Sequence, residues 1–296
     1  MSFAAMIGHL LLERFSKQIL PRIPETDAVM EASDQIAAFM QGGRDDGILT
    51  HIYFFHAVMS LPVIHPGDTV LDLACGPANQ LTHFARLNPE ANFIGIDASA
   101  GMLELARATL AQNRIDNVSL QHGTITDLSD IDTASIDCVI CTMSLHHLPD
   151  TNALHTTMKE IHRILKPNGG IYLADFGRLK RDATQHYFAH DRSELQSQTF
   201  TEDFLNSMRA AFSVEELKSA LTEIDTPIEI HETALAPFMM IARSDPRRAI
   251  DEKLADRVKS FYENLTARQR RDFDNMARWL RIGGLDSPIS RHIQSK

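Results

Sequence analysis

The residues that most clearly point to chemistry lie between positions 69 and 80. An apolar run at 70–73 carries one acid, Asp72, and leads into the small residues of 74–78. A buried strand followed by a small-residue turn and a helix start predicts a corner where backbone approaches a ligand closely and helix N–H groups favour polar groups. Asp72 would repel a pyrophosphate, and two glycines of the dinucleotide fingerprint are missing. The corner therefore favours a nucleotide-like ligand with a cationic group nearby.

A second acid stands at the end of the next predicted strand. Residues 92–97 form an apolar run that ends in Asp97, and a helical pattern follows from Ala100 to Gln112. An acid about 20 residues after a nucleotide-binding turn accepts hydrogen bonds from ribose hydroxyls. We therefore predict that Asp97 binds ribose; the alternative is that it caps the following helix.

Several blocks in residues 65–242 together resemble the class I S-adenosylmethionine (SAM)-dependent methyltransferases. Blocks similar to the family's motifs are residues 70–78 (first motif), 94–97 (second motif), 123–128 (adenine loop), 136–150 (fourth strand) and 165–173 (turn into the fifth strand). The chain departs from the family at Ala74 and Ala78, which replace common glycines, and at Thr124, which replaces a common acid. The resemblance implies an α/β fold: a doubly wound, mostly parallel seven-stranded sheet with an antiparallel last strand.

The resemblance also implies SAM as the cofactor. Asp72 would lie near the methionine amino group and Asp97 at the ribose. The full predicted cofactor set is Asp72, Ala74, Gly76, Asp97, Ala98, Thr124, Ile125, Thr142 and Met143.

The acceptor side is predicted just past the fourth and fifth strands. Histidine has a suitable pKa for a general base, so His146 is a predicted catalytic residue. Asp175, at the end of the fifth predicted strand, is the other. The Leu-His-His-Leu-Pro pattern that contains His146 also occurs in the family where no base is needed. Aromatic and histidine side chains near the crevice are predicted to bind substrate, the alternative for each being core packing. They are Tyr53, Phe54, His56, His147, Phe176 and Tyr187.

Three parts are predicted along the chain. Residues 1–60 form an N-terminal helical lid with helices over 6–20 and 27–40, and residues 61–242 form the SAM-binding domain, with a substrate cap at about 177–213. Residues 243–296 form a basic C-terminal extension. Its apolar residues recur at helical spacing, which predicts an amphipathic helix pair docked on the core or on a second subunit.

Composition narrows the class of protein further. The chain has 296 residues, 44% hydrophobic content and a net charge of −10, which opposes nonspecific nucleic-acid binding. The opening apolar stretch is too short for a membrane span and lacks the basic start of a signal peptide, so we expect a cytoplasmic protein with no membrane partner. Cys138 and Cys141 would point to opposite faces of a strand, so they predict buried structural thiols and imply no metal.

These observations predict a SAM-dependent methyltransferase that acts on a small molecule or a carrier-bound metabolite. One alternative is an RNA or protein methyltransferase that uses the basic extension. Another is a non-catalytic SAM-binding subunit. A small-molecule substrate is the expected partner, nucleic acid is not expected, and a homodimer is left open.

Overall fold

A computed structural model describes residues 3–25, 36, 47–191 and 193–289. Its centre is one seven-stranded sheet in the order β3-β2-β1-β4-β5-β7-β6. Six strands run parallel, and β7 pairs antiparallel with both of its neighbours. This confirms the predicted fold class. The strands are β1 Thr69–Leu73, β2 Asn92–Asp97, β3 Val118–His122, β4 Ile136–Thr142, β5 Leu165–Asp175, β6 Ile228–Glu232 and β7 Met240–Ser244.

Helices cover both faces of this sheet. In chain order they are α1 Phe3–Phe15, α2 Thr50–Met59, α3 Asn79–Leu87, α4 Ala100–Gln112, α5 Thr151–Ile164, α6 Asp182–His190, α7 Gln198–Ala210, α8 Val214–Leu221, α9 Glu252–Asn264 and α10 Ala267–Ile282. Within the described ranges, no helix combines the length and the apolar character that crossing a membrane requires.

The order of the strands determines where a ligand can bind. The chain proceeds outward from β1 to β2 and β3, then returns to the other side of β1 with β4 and β5. At such a reversal the loops after the two central strands separate and leave a crevice at the carboxyl ends. Leu73 at the end of β1 pairs with Ile96 of β2 and Cys141 of β4, so the motifs that follow these strands meet at one edge.

The two cysteines of β4 are buried on opposite faces of the sheet. Cys138 and Cys141 are both 0% exposed and belong to different apolar clusters. Burial raises the pKa of each thiol above its ordinary value. The prediction of buried structural thiols is confirmed.

The N-terminal segment begins as a helix and continues without regular structure. α1 ends at Phe15, before the predicted residue 20, and residues 16–25, which contain Pro21 and Pro24, are not helical. Proline lacks the N–H that a helix needs, so Pro21 and Pro24 keep the end of this segment from being helical. The helix predicted over 27–40 lies outside the described residues, apart from Ile36.

Two charged side chains attach this segment to the rest of the protein. Glu13 is 1% exposed and accepts hydrogen bonds from the backbone nitrogens of Lys180 (2.8 Å) and Arg181 (2.9 Å) at the start of α6. The guanidinium of Arg22 donates to backbone carbonyls and lies 4.0 Å above the ring of Phe212. Its acceptors are the oxygens of Ala210 (2.6 Å), Pro149 (2.7 Å), His146 (2.8 Å) and Leu148.

The C-terminal extension contains the predicted pair of helices, α9 and α10. Their apolar residues pack into the same cluster as α2: Phe273 of α10 lies 5.3 Å from Phe54 and 5.6 Å from Phe55 between ring centroids. The pair is therefore docked on the core. The division of the chain into a lid, a catalytic domain with a cap, and an extension stays a prediction.

Candidate active site

The turn between β1 and α3 has an unusual backbone. Ala74, Gly76 and Ala78 all have positive φ, at 57°, 54° and 60°. A left-handed conformation costs roughly 1–2 kcal/mol for a residue with a Cβ, which explains why glycine is common at the two alanine positions in the family that the sequence resembles. A Cβ added at Gly76 would meet nothing within 4 Å. The turn thus presents its backbone to open space.

Asp97 holds this turn in place. One carboxylate oxygen accepts from the backbone nitrogen of Gly76 at 2.8 Å, and the other accepts from that of Ser99 at 2.9 Å. Ser99 in turn caps α4 by accepting from the nitrogen of Met102. Asp97 is 9% exposed, and each of its oxygens retains a second lone pair for a ligand. The alternative, that Asp97 caps the following helix, is wrong, because Ser99 is the cap of α4. The ribose role stays a prediction.

A cavity of about 550 Å³ opens at the carboxyl ends of β1 and β4. Its floor is the turn after β1 and the segment after β4, and its walls come from α2, α7 and α10. Nine of the predicted site residues line it: Asp72, Ala74, Gly76, Thr142, Met143, His146, His147, Tyr53 and Phe176.

Asp72 places a carboxylate at the floor of this cavity. Its side chain is almost fully buried, and no residue within the described ranges donates a hydrogen bond to it. Burial raises the pKa of Asp72 well above its ordinary value, and the negative charge of Asp97 adds to the increase. A buried carboxylate without a partner is costly. A cationic ligand group, such as the amino group of SAM, would supply the missing charge, so this site fits the cofactor that the sequence implies.

His146 is held rigidly beside the cavity by Asp175. The imidazole Nδ1 lies 2.7 Å from one oxygen of Asp175, whose other oxygen accepts from the backbone nitrogen of His146 at 2.9 Å. Burial by itself would lower the pKa of His146, but the charge and hydrogen bond of Asp175, with the charges of Glu25 and Asp203, raise it on balance. Nδ1 is engaged, so Nε2 is the ring nitrogen available for other contacts.

Asp175 itself lies behind His146. It is 4% exposed and does not line the cavity, and it also accepts from the backbone nitrogen of Phe176 at 2.7 Å. The predicted direct catalytic contact of Asp175 therefore needs correction, because its carboxylate contacts His146 and Phe176 and does not reach the cavity.

The N-terminal segment adds an acid to this side of the cavity. Glu25 contacts Nδ1 of His147 and accepts from the hydroxyl of Ser207 in α7 at 2.9 Å. Burial would raise the pKa of Glu25, but the hydrogen bond to His147 and the charges of both histidines lower it on balance. Asp203 of α7 lines the same region.

Four predicted cofactor residues lie beside the cavity and not in its lining. Asp97 ends β2 and Ala98 follows it, while Thr124 and Ile125 follow β3. Thr124 is exposed and its hydroxyl lies 3.0 Å from that of Thr126, whereas the side chain of Ile125 is buried in an apolar cluster. Their ribose and adenine roles stay predictions.

Three predicted substrate residues lie away from the cavity. Phe54 is packed in the core against α10, and Nδ1 of the fully buried His56 lies 2.8 Å from the hydroxyl of Tyr172. Burial lowers the pKa of His56 to about 3. Tyr187 stacks on His9 at 4.3 Å. These placements do not support substrate contacts for the three residues, because neighbours on the same helices face the cavity instead.

Most of the cavity wall was not predicted from the sequence. The contributing residues include Ile52, Asp203, Phe204, Phe238, Met276 and Trp279. The apolar stripe of α10 was visible in the sequence, but it gave no indication that Met276 would face a cavity.

The fold and the site together define a class of protein. A sheet in the order 3-2-1-4-5-7-6, with a buried acid and a tight turn after the first strand, is the arrangement of class I methyltransferases. A solved structure described as a SAM dependent methyltransferase from Aquifex aeolicus superposes with a TM-score of 0.53 at 16% identity, covering 74% of this chain and 100% of that one.

The family model for a methyltransferase domain matches residues 64–232, and the chain belongs to this family. The chain therefore contains a methyltransferase domain. Demethylmenaquinone methyltransferase of Listeria monocytogenes is 31% identical over 126 residues, which are 42% of this chain and 52% of that protein. Malonyl-[acyl-carrier protein] O-methyltransferase of Priestia megaterium is 28% identical over 169 residues, 56% and 57% of the two chains. The chain spans about half the length of these curated relatives.

Proposed function

We propose that the protein methylates a small, largely apolar acceptor, free or attached to a carrier, inside the 550 Å³ cavity. The observation that carries this proposal is the composition of the two sides of the cavity. Its floor holds Asp72 and Gly76, the donor-side residues, and its upper wall holds aromatic side chains. These are Phe176, Phe188, Phe204, Phe238 and Trp279.

The aromatic wall favours a small acceptor. Phe238 lies 4.4 Å from Phe188 and 5.7 Å from Phe176 between ring centroids, so the rings form one continuous surface. Such a surface suits a flat or extended apolar molecule that packs against it in the pocket. The names of the relatives are consistent with this range of acceptors, one being a demethylmenaquinone and the other a carrier-bound malonyl group.

The basic extension gives less support to a macromolecular substrate. α9 and α10 pack on the core, and α10 contributes Met276 and Trp279 to the cavity wall. A helix used as a wall narrows the entrance through which an RNA or protein segment would have to pass. We therefore place the RNA or protein methyltransferase second, and the non-catalytic SAM-binding subunit third.

Methyl transfer requires mainly that the protein position the methyl donor and the acceptor. SAM supplies an electrophilic methyl group on a sulfonium that leaves as a neutral thioether. Asp72 would hold the donor's amino group, Asp97 would fix the turn and bind the ribose, and the apolar walls would exclude water and hold the acceptor in near-attack geometry. His146, with Nε2 directed away from Asp175, is the residue that would act on the acceptor. In the cytoplasm, where we expect the protein, metabolites of this kind are available.

Incubation with methyl-labelled SAM and a fractionated cell extract tests the proposal. We expect label in low-molecular-weight or carrier-bound products with the wild-type protein, and a strong reduction with Asp72→Asn. Tyr187→Phe serves as a control, because Tyr187 does not line the cavity. Label found only in RNA or protein would favour the second function. Binding of SAM without any transfer would favour the third.

A further inference from the structure

Three side chains near the cavity form a group with the composition of a metal site. Glu25, His146 and His147 each offer one ligand atom, and these atoms all lie within 4.8 Å of one another. Glu25 is separated from His147 by 122 positions in the chain. The fold, and not the local sequence, therefore brings the group together.

The orientation of each side chain suits coordination. Asp175 binds Nδ1 of His146, so Nε2 is left toward Glu25, 4.0 Å from its carboxylate. Metal-binding histidines commonly donate their other ring N–H to a carboxylate in this way, which fixes the ring and increases its basicity. His147 presents Nδ1 to the other oxygen of Glu25. Two imidazole nitrogens and one carboxylate oxygen thus converge.

The charge around the group also favours a cation. Asp175 and Asp203 lie close to the two histidines, in addition to Glu25. Acidic side chains thus border the two imidazoles, which is a setting that favours a bound cation.

We propose that Glu25, His146 and His147 bind one divalent transition-metal ion of the Zn²⁺ type at the acceptor side of the cavity. Two nitrogens and one oxygen are donors that Zn²⁺ accepts, whereas Mg²⁺ and Ca²⁺ prefer oxygen alone. Three protein ligands leave a fourth position, as in catalytic zinc sites. Both histidines line the cavity, so that position is open to water or to an acceptor oxygen or sulfur.

This inference rests on the proposed function only for its consequence, that the ion contacts the acceptor. With the ion bound to Nε2 of His146, the ion would act on the acceptor in place of the imidazole. Metal binding itself is independent of methyl transfer. The sequence-based expectation of no metal was drawn from Cys138 and Cys141. Glu25 meets the histidine pair only in the folded chain, 122 positions away in sequence from His147.

Calorimetric titration of tag-free, chelator-treated full-length protein with Zn²⁺ tests the proposal, with Co²⁺ absorption as a second readout of coordination. We expect one ion per chain. His147→Ala and Glu25→Gln should each weaken binding by about 100-fold or more, and Asp175→Asn by about 10- to 100-fold. His155→Ala is the matched control, because His155 pairs with Glu223 at 2.9 Å outside the cavity; it should bind like the wild type.

Absence of Zn²⁺ binding by the folded wild-type protein would overturn the proposal, as would binding that is unchanged in both His147→Ala and Glu25→Gln. Binding lost in His155→Ala but kept in those two variants would assign the ion to the surface. SAM titration of the same samples separates the two proposals. Wild-type protein that binds Zn²⁺ without SAM contradicts the proposed function alone, and protein that binds SAM without Zn²⁺ contradicts the metal site alone.

Discussion

The carboxylate of Asp97 lies 2.8 Å from the backbone nitrogen of Gly76 and joins the end of β2 to the turn after β1. The residue predicted to bind the ribose is therefore also part of the structure that shapes the donor site. Loss of its side chain should affect ligand binding and stability together.

Asp97→Ala is expected to weaken SAM binding and to lower the free energy of unfolding by about 1–3 kcal/mol, because two backbone N–H groups lose their acceptor. Calorimetry with SAM and urea denaturation measure the two effects. Asp251→Ala is the control, since Asp251 caps α9 by accepting from Leu254 at 2.8 Å. It should cost about 1 kcal/mol and leave SAM affinity unchanged. Unaltered SAM affinity in Asp97→Ala would contradict the ribose role.

Asp72→Asn should stabilise the protein without ligand at neutral pH. The folded protein raises the pKa of Asp72 above its ordinary value of 3.8. The contribution of Asp72 to the free energy of unfolding is therefore most favourable below pH 3.8, and it declines as the pH rises through the pKa of the folded state. The difference in free energy of unfolding between Asp72→Asn and the wild type should therefore grow above about pH 4, as measured by denaturation at several pH values. SAM affinity should fall about 10- to 100-fold, because a charged hydrogen bond is lost.

Asp137→Asn should change stability with a pH dependence opposite to that of Asp72→Asn. Burial would raise the pKa of Asp137, but Lys166, at 2.8 Å, and the backbone nitrogen of Thr69 lower it on balance. Asp137 therefore stabilises the fold at neutral pH and loses this effect in acid. The same pH dependence in both variants would contradict the account of Asp72.

Ala74→Gly is expected to stabilise the protein by up to about 1 kcal/mol, because glycine adopts a φ of 57° without strain. Thermal unfolding measures the change. Ala108→Gly is the control: Ala108 is exposed in the middle of α4, where glycine should cost about 1 kcal/mol. An equal loss of thermal stability in Ala74→Gly and Ala108→Gly would show that the turn is not strained.

Arg22→Lys should loosen the segment of residues 16–25. Lysine keeps the charge but cannot reproduce the planar fork that reaches the carbonyls of His146, Pro149 and Ala210. Hydrogen exchange at the amide of Ile23, which donates to Arg209 at 3.0 Å, should become faster by the equivalent of about 1.5–3 kcal/mol. Arg14→Lys, at an exposed position of α1, should not change it. Unchanged protection in Arg22→Lys would contradict the role of the fork.

Local patterns were enough to predict the sheet and its motifs. Asp72 lies near the end of β1, Asp97 is the last residue of β2, and the histidine pair comes just after β4. Their positions at one edge therefore follow from parallel topology. Long-range packing was not predictable in the same way. Phe54 and Tyr53 are adjacent in α2, yet only Tyr53 faces the cavity, because the position of α10 decides which side of the helix is core. The contact of Glu25 with His147 depends on the path of an irregular segment.

The use of α10 as a wall has a consequence for synthesis. A ribosome completes all seven strands before it reaches residues 267–282, so a nascent chain can assemble its sheet while the pocket still lacks one side. Premature termination after β7 would then leave a polypeptide with the donor motifs but without the surface on which Met276 and Trp279 lie. The wall of the cavity is thus completed by a part of the chain that is synthesised after the whole sheet.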